Sequence, residues 1–160
     1  MKNLLITLVA ILLCTGINAK EKNSDKEKEA IKKVITEATN AYRARDFVKI
    51  ASTYVHDESL VKTASSRGGF AVNYGWKKVA ENYKNNFKNN PEPAPGNYKK
   101  VNFKIKVYEE SAWAIHDEII EGNAGNTYKQ VITHFLEKHN DQWKVVYMSN
   151  IRATSWDLAE

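Results

Sequence analysis

A single cysteine, Cys14, is all that the 160 residues contain. One thiol makes no internal disulfide framework and no multi-cysteine metal site. Proline is confined to Pro91, Pro93 and Pro95, so it interrupts nothing before or after that stretch. The one long apolar run, Leu4 to Leu13, is broken only by Thr7 and falls short of the roughly 20 residues of a membrane span. No Ser/His/Asp or Cys/His nucleophile set is present. Ser65-Ser66-Arg67-Gly68-Gly69 lacks the lysine spacing and the strand-to-helix setting of a phosphate loop. The net charge is +5, but the lysines are scattered over a helix and a strand face. A solvated surface explains that distribution better than a nucleic-acid footprint does, and no nucleic-acid partner is expected.

Residues 1–19 have the build of a signal peptide: Lys2, then the apolar run, then a small residue at Ala19. Cys14 raises a lipoprotein alternative, against which bulky Leu13 stands in the preceding position. Cleavage after Ala19 leaves about 140 residues, enough for one domain with a real core. A polar leader over 20–25, a domain over 26–152 and a tail over 153–160 complete the division.

Within the domain, Ser24-Asp25-Lys26-Glu27 is a capping box for a helix to about Arg45. Ala30, Ile31, Val34, Ile35, Ala38 and Tyr42 form its apolar stripe. Asp46 caps a short second helix with Phe47, Ile50, Ala51 and Tyr54 inward. His56-Asp57 is a turn, Ser59 to Ala64 a short strand, and Ser65 to Gly69 a loop. A third helix runs from Asn73 to Asn89, with Trp76, Val79, Ala80, Tyr83 and Phe87 on one face. The prolines end it and lead into a sheet.

From Tyr98 to Arg152 the chain reads as four antiparallel strands. Val101, Phe103, Ile105 and Val107 alternate with polar residues, the period of a strand with one buried face. Ala112 to Glu121, Thr127 to His139 and Gln142 to Arg152 follow. Turn lengths set a register: Phe103 opposite Asp117, Asp117 opposite Val131, and Val131 opposite Asn150. One face then carries Val101, Phe103, Ile105, Val107, Trp113, Ile115, Ile119, Val131, Phe135, Val146 and Met148, and is expected to be the core. The other carries His116, Glu118, Gln130, Ile132, His134, Trp143, Val145 and Tyr147, and is expected to pack against a second copy of the chain.

This order of elements resembles the nuclear transport factor 2-like (cystatin-like α+β barrel) superfamily. The likeness rests also on Arg45-Asp46 before Phe47, on Gly75-Trp76 opening the third helix, and on Asp141-Gln142-Trp143-Lys144 opening the last strand. It looks closest to small secreted bacterial members of the SnoaL-like branch. The resemblance implies an α+β fold: three N-terminal helices on a curved antiparallel sheet of four to six strands, forming a conical pocket, often in a homodimer. The superfamily spans isomerases, dehydratases, cyclases, epoxide hydrolases and non-catalytic association domains, so fold alone does not settle function. Ketosteroid isomerases place a carboxylate base near the strand after the second helix. Ser59 to Gly75 contains no Asp or Glu, and Lys62 stands about there, so that activity is not carried over.

On the expected register Asp117 points into the apolar face, as an acid or base at a pocket wall or as a structural carboxylate held by Arg152 or Asn150. It is the candidate catalytic residue. Tyr42, Tyr54, Trp76, Tyr83 and Trp113 read mostly as core, with one or two bringing a polar handle to a cavity. With Lys62, Asn150 and Arg152 they make the candidate pocket set. Lys62 and Arg67 are also the cations available to an anionic ligand, although solvent exposure is the plainer reading. His116, His134 and Glu118 share a face without a ligand motif, so no metal is expected, and no cofactor. The expected function is an exported domain binding a small, partly apolar molecule. The alternatives are a cofactor-free lyase, isomerase or cyclase using Asp117, and a dimerising association module. Export is checked by N-terminal sequencing of protein purified from the producing cell. The first residue should be Lys20, whereas a lipidated Cys14 would replace secretion with membrane anchoring.

Overall fold

The structure is a computed structural model describing residues 25–66, 69–121 and 127–152. The expectations for the signal peptide, Ser24, Arg67, the turn at 122–126 and the tail lie outside these residues.

Helix α1 spans Asp25–Ala44 and buries Ile31, Ile35, Ala38 and Ala41. Asp25 and Glu27 lie in its first turn, where carboxylates complement the helix dipole. Glu27 also ties the helix to the sheet, accepting from Lys138 Nζ and from Trp143 Nε1, each at 2.8 Å. The helix ends on Arg45, at φ 60°. Asp46 N–H returns to Ala41 O at 2.9 Å and Arg45 N–H to Tyr42 O at 3.2 Å, closing the last turn. Glycine usually takes this left-handed position, and a side chain there costs about 1–2 kcal/mol. Arg45 offsets the cost by donating to Glu92 O at 3.0 Å and lying over the Tyr42 and Phe87 rings. The junction thereby fixes the exit of α1 against the end of the third helix. Helix α2, Phe47–Ala51, opens on Asp46, whose carboxylate accepts from Lys49 N–H at 2.9 Å.

Strand β1 is Val61–Ser66 and strand β2 is Gly69–Tyr74. The sequence expectation had a loop at Ser65 to Gly69 and missed β2, whose Phe70 and Tyr74 remain exposed. Helix α3, Gly75–Asn89, buries Val79, Ala80, Tyr83 and Phe87. Strands β3 (Asn97–Val107), β4 (Ser111–Glu121), β5 (Thr127–His139) and β6 (Gln142–Arg152) follow. Among the described residues they form one six-stranded sheet in the order β2-β1-β6-β5-β4-β3. It is mixed rather than wholly antiparallel, because β1 runs parallel to β6. The β5–β6 hairpin turns on Asn140 and Asp141, both at positive φ, as a two-residue turn matched to the strand twist requires.

Two of the expected registers are corrected. Asp117 does pair with Val131. Across β3–β4, however, Ile105 meets Ala114 and Val101 meets Asp117, with a bulge between Val101 and Lys104 where Asn102 has φ 57°. Across β5–β6 a second bulge makes Val131 face Ile151 instead of Asn150. The inner face of β4 is therefore Ala112, Ala114, His116, Glu118 and Ile120, all buried. Ile132, His134, Leu136, Trp143 and Val145 join it, buried within one chain, so they are not a contact between copies. Tyr147 sits across the sheet beside Phe135, which is 47% exposed. Trp113 lies opposite Phe135 on that outer face. Asp117, flanked by buried His116 and Glu118, alternates outward and accepts from Asn102 Nδ2 at 2.7 Å. It reaches neither the helices nor Arg152.

The cause is steric. The helices press on the concave face, so small Ala112 and Ala114 sit beneath them, while bulky Trp113 and Ile115 have room only on the convex side. Ala114 is fully buried and Ile115 only partly so. Ala114→Leu should overpack the core and lower stability by about 1–3 kcal/mol in urea titrations. Ile115→Leu should cost well under half as much. Equal losses would contradict the register.

Candidate functional site

Cross-strand pairing sets the inner face out in rows. Lys100, Glu118, Gln130 and Arg152 form one row, His116, Ile132, Asn150 and Ala64 the next, and Ala114, His134, Met148 and Lys62 the third. Over this grid lie Ile35, Ala38 and Tyr42 of α1 and Tyr83 of α3. A cavity of about 330 Å³ remains between the layers. That is the lower end of the ligand-pocket range, about 300–1,000 Å³.

One wall of the cavity is polar and linked. Lys100 Nζ donates to Glu118 Oε1 at 2.7 Å, and both side chains are almost fully buried. Gln130 Nε2 donates to Glu118 Oε2 at 2.6 Å, and Asn150 Nδ2 donates to Gln130 Oε1 at 3.1 Å. Both oxygens of Glu118 are engaged, and its charge is neutralised by Lys100. The facing wall is phenolic. The Tyr54 and Tyr83 hydroxyls lie 3.0 Å apart, and Tyr54 also donates to Met148 Sδ at 3.4 Å. Burial and the neighbouring phenol push the Tyr54 hydroxyl well above its usual range, and burial raises Tyr83 as well, so both stay protonated donors.

His134 lines the same cavity, is 3% exposed, and has no hydrogen-bond partner on either ring nitrogen. Asn150 Oδ1 is likewise buried and unpaired. Behind His134, His116 is stacked between it and Phe103, with ring centroids at 5.5 and 4.6 Å, and its nitrogens also lack partners. Burial, then His116, then Lys100 lower His134 to about 3. Burial, then Lys100, lower His116 to about 4, against a small opposing pull from Asp117. Both imidazoles are neutral at neutral pH. Among the described residues no three His, Cys, Asp or Glu side chains converge as a metal site.

Of the candidate pocket set, Tyr42, Tyr54, Lys62, Tyr83 and Asn150 line the cavity. Trp76 does not. It stacks on His56 at 4.2 Å and on Phe47 and Tyr54, in the core beside the cavity. Trp113 and Asp117 are on the outer face. Arg152 stands behind the lining, its guanidinium 4.0 Å from the Tyr128 ring centre. Glu118, Gln130, His134, Tyr98 and Tyr128 also line the cavity, although the sequence reading did not place them in the pocket set. The signal for three of them was present, since Glu118, Gln130 and His134 share a strand face in the sequence pattern.

Three helices closing a curved sheet over a cavity define a cystatin-like, nuclear transport factor 2-like architecture. The chain belongs to the SnoaL-like domain family, which matches residues 31–150. Comparison with curated proteins found no match. A cystatin-like-fold protein of unknown function from Nostoc punctiforme superposes with a TM-score of 0.67 at 12% identity, covering 84% of this chain and 97% of its own. A nuclear transport factor 2-like protein of unknown function from Pseudomonas putida gives 0.67 at 14% identity, with 86% and 94% covered. A Streptomyces avermitilis protein of the nuclear transport factor 2-like family, described as a putative dehydratase, gives 0.66 at 17% identity, with 82% and 99% covered. At these identities the likeness is one of fold.

The neutral histidines make stability pH-dependent with a definite sign. Unfolded histidine titrates near 6.5, whereas the folded pair titrates near 4 and 3. Acidification below 6.5 therefore protonates the unfolded chain first, and the stability present above 6.5 is lost as pH falls toward 4. Between pH 7 and pH 5 the loss is about 2 kcal/mol per histidine. Urea titrations should show it, and His134→Phe should roughly halve the slope. A midpoint unchanged between pH 7 and pH 5 would contradict the buried neutral pair.

Proposed function

We propose that the chain is an exported binding protein for a small, partly apolar molecule, held between the sheet and the helices. The observation that carries this is the pair of orphaned polar groups on the cavity wall. Two imidazole nitrogens and an amide oxygen without partners cost about 1–3 kcal/mol each when buried, and a ligand with a donor and an acceptor would remove that cost. The rest of the lining, Ile35, Ala38, Ile50, Ile120, Ile132 and Met148, suits an apolar body. Export is supported by the sequence of residues 1–19.

Turnover is the weaker reading. Asp117 does not face the cavity. Glu118 is the carboxylate that does, but Lys100 and Gln130 occupy both its oxygens. His134, titrating near 3, is a poor proton acceptor at neutral pH, far from the matched pKa that general-base work favours. An association module has less support, because Ile132, His134, Trp143 and Val145, assigned to that contact, are buried inside one chain, and of the aromatic residues in that set only Tyr147 turns to the outer face.

Native mass spectrometry of the mature protein tests the reading, together with a thermal-shift screen of neutral and charged aromatic or alicyclic compounds. Ala64 lines the cavity from β1, and Ala64→Phe fills it. A bound mass or a thermal shift should appear with the natural sequence and vanish in Ala64→Phe. Failure of every compound to shift the natural protein, with no co-purified mass, would overturn the proposal.

A further inference from the structure

The charges around the cavity do not balance. Glu118 and Lys100 cancel one another. Lys62 lines the cavity from β1, and among the described residues no carboxylate forms an ion pair with it. Its amine lies 4.3 Å from the Tyr83 ring centre. That contact leaves the three N–H donors of the ammonium without an acceptor of their own. Two further cations flank lining tyrosines, Arg43 over Tyr98 at 4.6 Å and Arg152 over Tyr128 at 4.0 Å. Neither has a carboxylate partner among the described residues. The cavity therefore has one neutralised ion pair and an excess of positive charge.

Lys62 also sits where two spaces meet. A smaller recess of about 180 Å³ shares Tyr42, Lys62 and Tyr83 with the main cavity. Its remaining lining is mostly amide, with Asn82 Nδ2 donating to Asn73 Oδ1 at 2.6 Å and Asn86 beside them. The main cavity is apolar along α1 and the recess is polar, with the unpaired ammonium at their boundary. Such an arrangement fits a molecule with an apolar body and a single anionic end.

We propose that Lys62 is the anion-binding residue of the cavity, and that the ligand is a small organic acid. Its carboxylate or sulfonate lies on the Lys62 ammonium, facing the asparagine-lined recess. Its aromatic or aliphatic body lies between α1 and the sheet, with any hydroxyl or carbonyl group on His134 and Asn150. The inference rests on the cavity being a ligand site, and adds the charge and orientation of what enters it. A buried or half-buried ammonium without a counter-ion attracts an anion far more strongly than a solvated lysine does. A neutral ligand of the same shape would leave that attraction unused.

The test uses two fluorescent probes of nearly the same shape, anilinonaphthalene sulfonate and uncharged N-phenylnaphthylamine, on the mature protein. The sulfonate should bind at least tenfold more tightly than the neutral dye and weaken with added salt. Lys62→Met should remove that preference, weakening the sulfonate at least tenfold and leaving the neutral dye within about twofold. Lys62→Arg should retain the preference. Circular dichroism confirms that each variant is folded. Equal loss of both dyes in Lys62→Met, or no preference in the natural protein, overturns the assignment of Lys62 but leaves the cavity as a binding site. Binding of both dyes unaffected by Ala64→Phe would show that they bind elsewhere, and would overturn the proposal together with the cavity reading.

Discussion

A buried carboxylate governs this sheet. Glu118 is 3% exposed and must be paired, because an uncompensated charge at that depth would cost several kcal/mol. Its partners come from the strands on either side, Lys100 from β3 and Gln130 from β5. For Lys100 to face inward, β3 must change parity, since Phe103, Ile105 and Val107 already point to the core. The bulge at Asn102 makes that change, turning Val101 outward and Lys100 inward opposite Glu118. The same bulge brings the Asn102 amide to Asp117 on the convex side. One extra residue thus serves an ion pair on one face of β4 and an amide–carboxylate bond on the other.

Element order was legible in the sequence because it depends on local signals. The Asp46 cap, the stripe on α1, the Asn140-Asp141 turn and the bounds of β5 and β6 all stand as read. The grouping of side chains was legible too: His116, Glu118, Gln130, Ile132, His134, Trp143 and Val145 do share a face. Which side that face turns was not. A binary pattern assigns the bulkier set to the core, and on β4 that set is Trp113, Ile115 and Ile119. A concave sheet reverses the rule where helices approach closely, leaving room for alanine, and where a cavity remains, leaving room for polar groups. The bulges added a second obstacle, because a single extra residue flips every side chain beyond it. Strand β2 was missed because Gly69 reads as the end of a loop and Asn73 as the start of the third helix, whereas pairing with β1 holds Gly69–Tyr74 extended and the helix begins at Gly75.

The cavity combines two features that have different physical origins. Its wall on β4, β5 and β6 is an amide and carboxylate network whose members largely satisfy one another. Its wall on the helices is phenolic, with Tyr54 and Tyr83 joined by a hydroxyl contact and Tyr42 tilted against Tyr83 at 6.1 Å. Phenols carry an apolar body and one donor, so they close a small cavity without leaving many polar atoms unpaired. The unpaired atoms are concentrated instead on His134, His116 and Asn150. The two rings are nearly parallel, 3° apart, so His116 and Phe103 hold the plane of His134 by stacking and leave its nitrogens free.

That choice of restraint decides what the site can do. A histidine oriented by a carboxylate gains basicity and becomes a proton acceptor near neutral pH. Here the restraint is a stack of rings, the only nearby inner-face carboxylate among the described residues is already bound to Lys100 and Gln130, and burial drives the imidazole toward about 3. His134 is consequently a fixed, neutral donor and acceptor rather than a base. Among the described residues Lys62 supplies charge without an ion-pair partner, and Tyr54 and Tyr83 supply donors whose ionisation burial suppresses. Each of these groups is suited to holding a ligand in one orientation, and none is poised to take a proton from it. On the reading proposed above, a SnoaL-like cavity built in this way has electrostatics suited to holding a molecule in place.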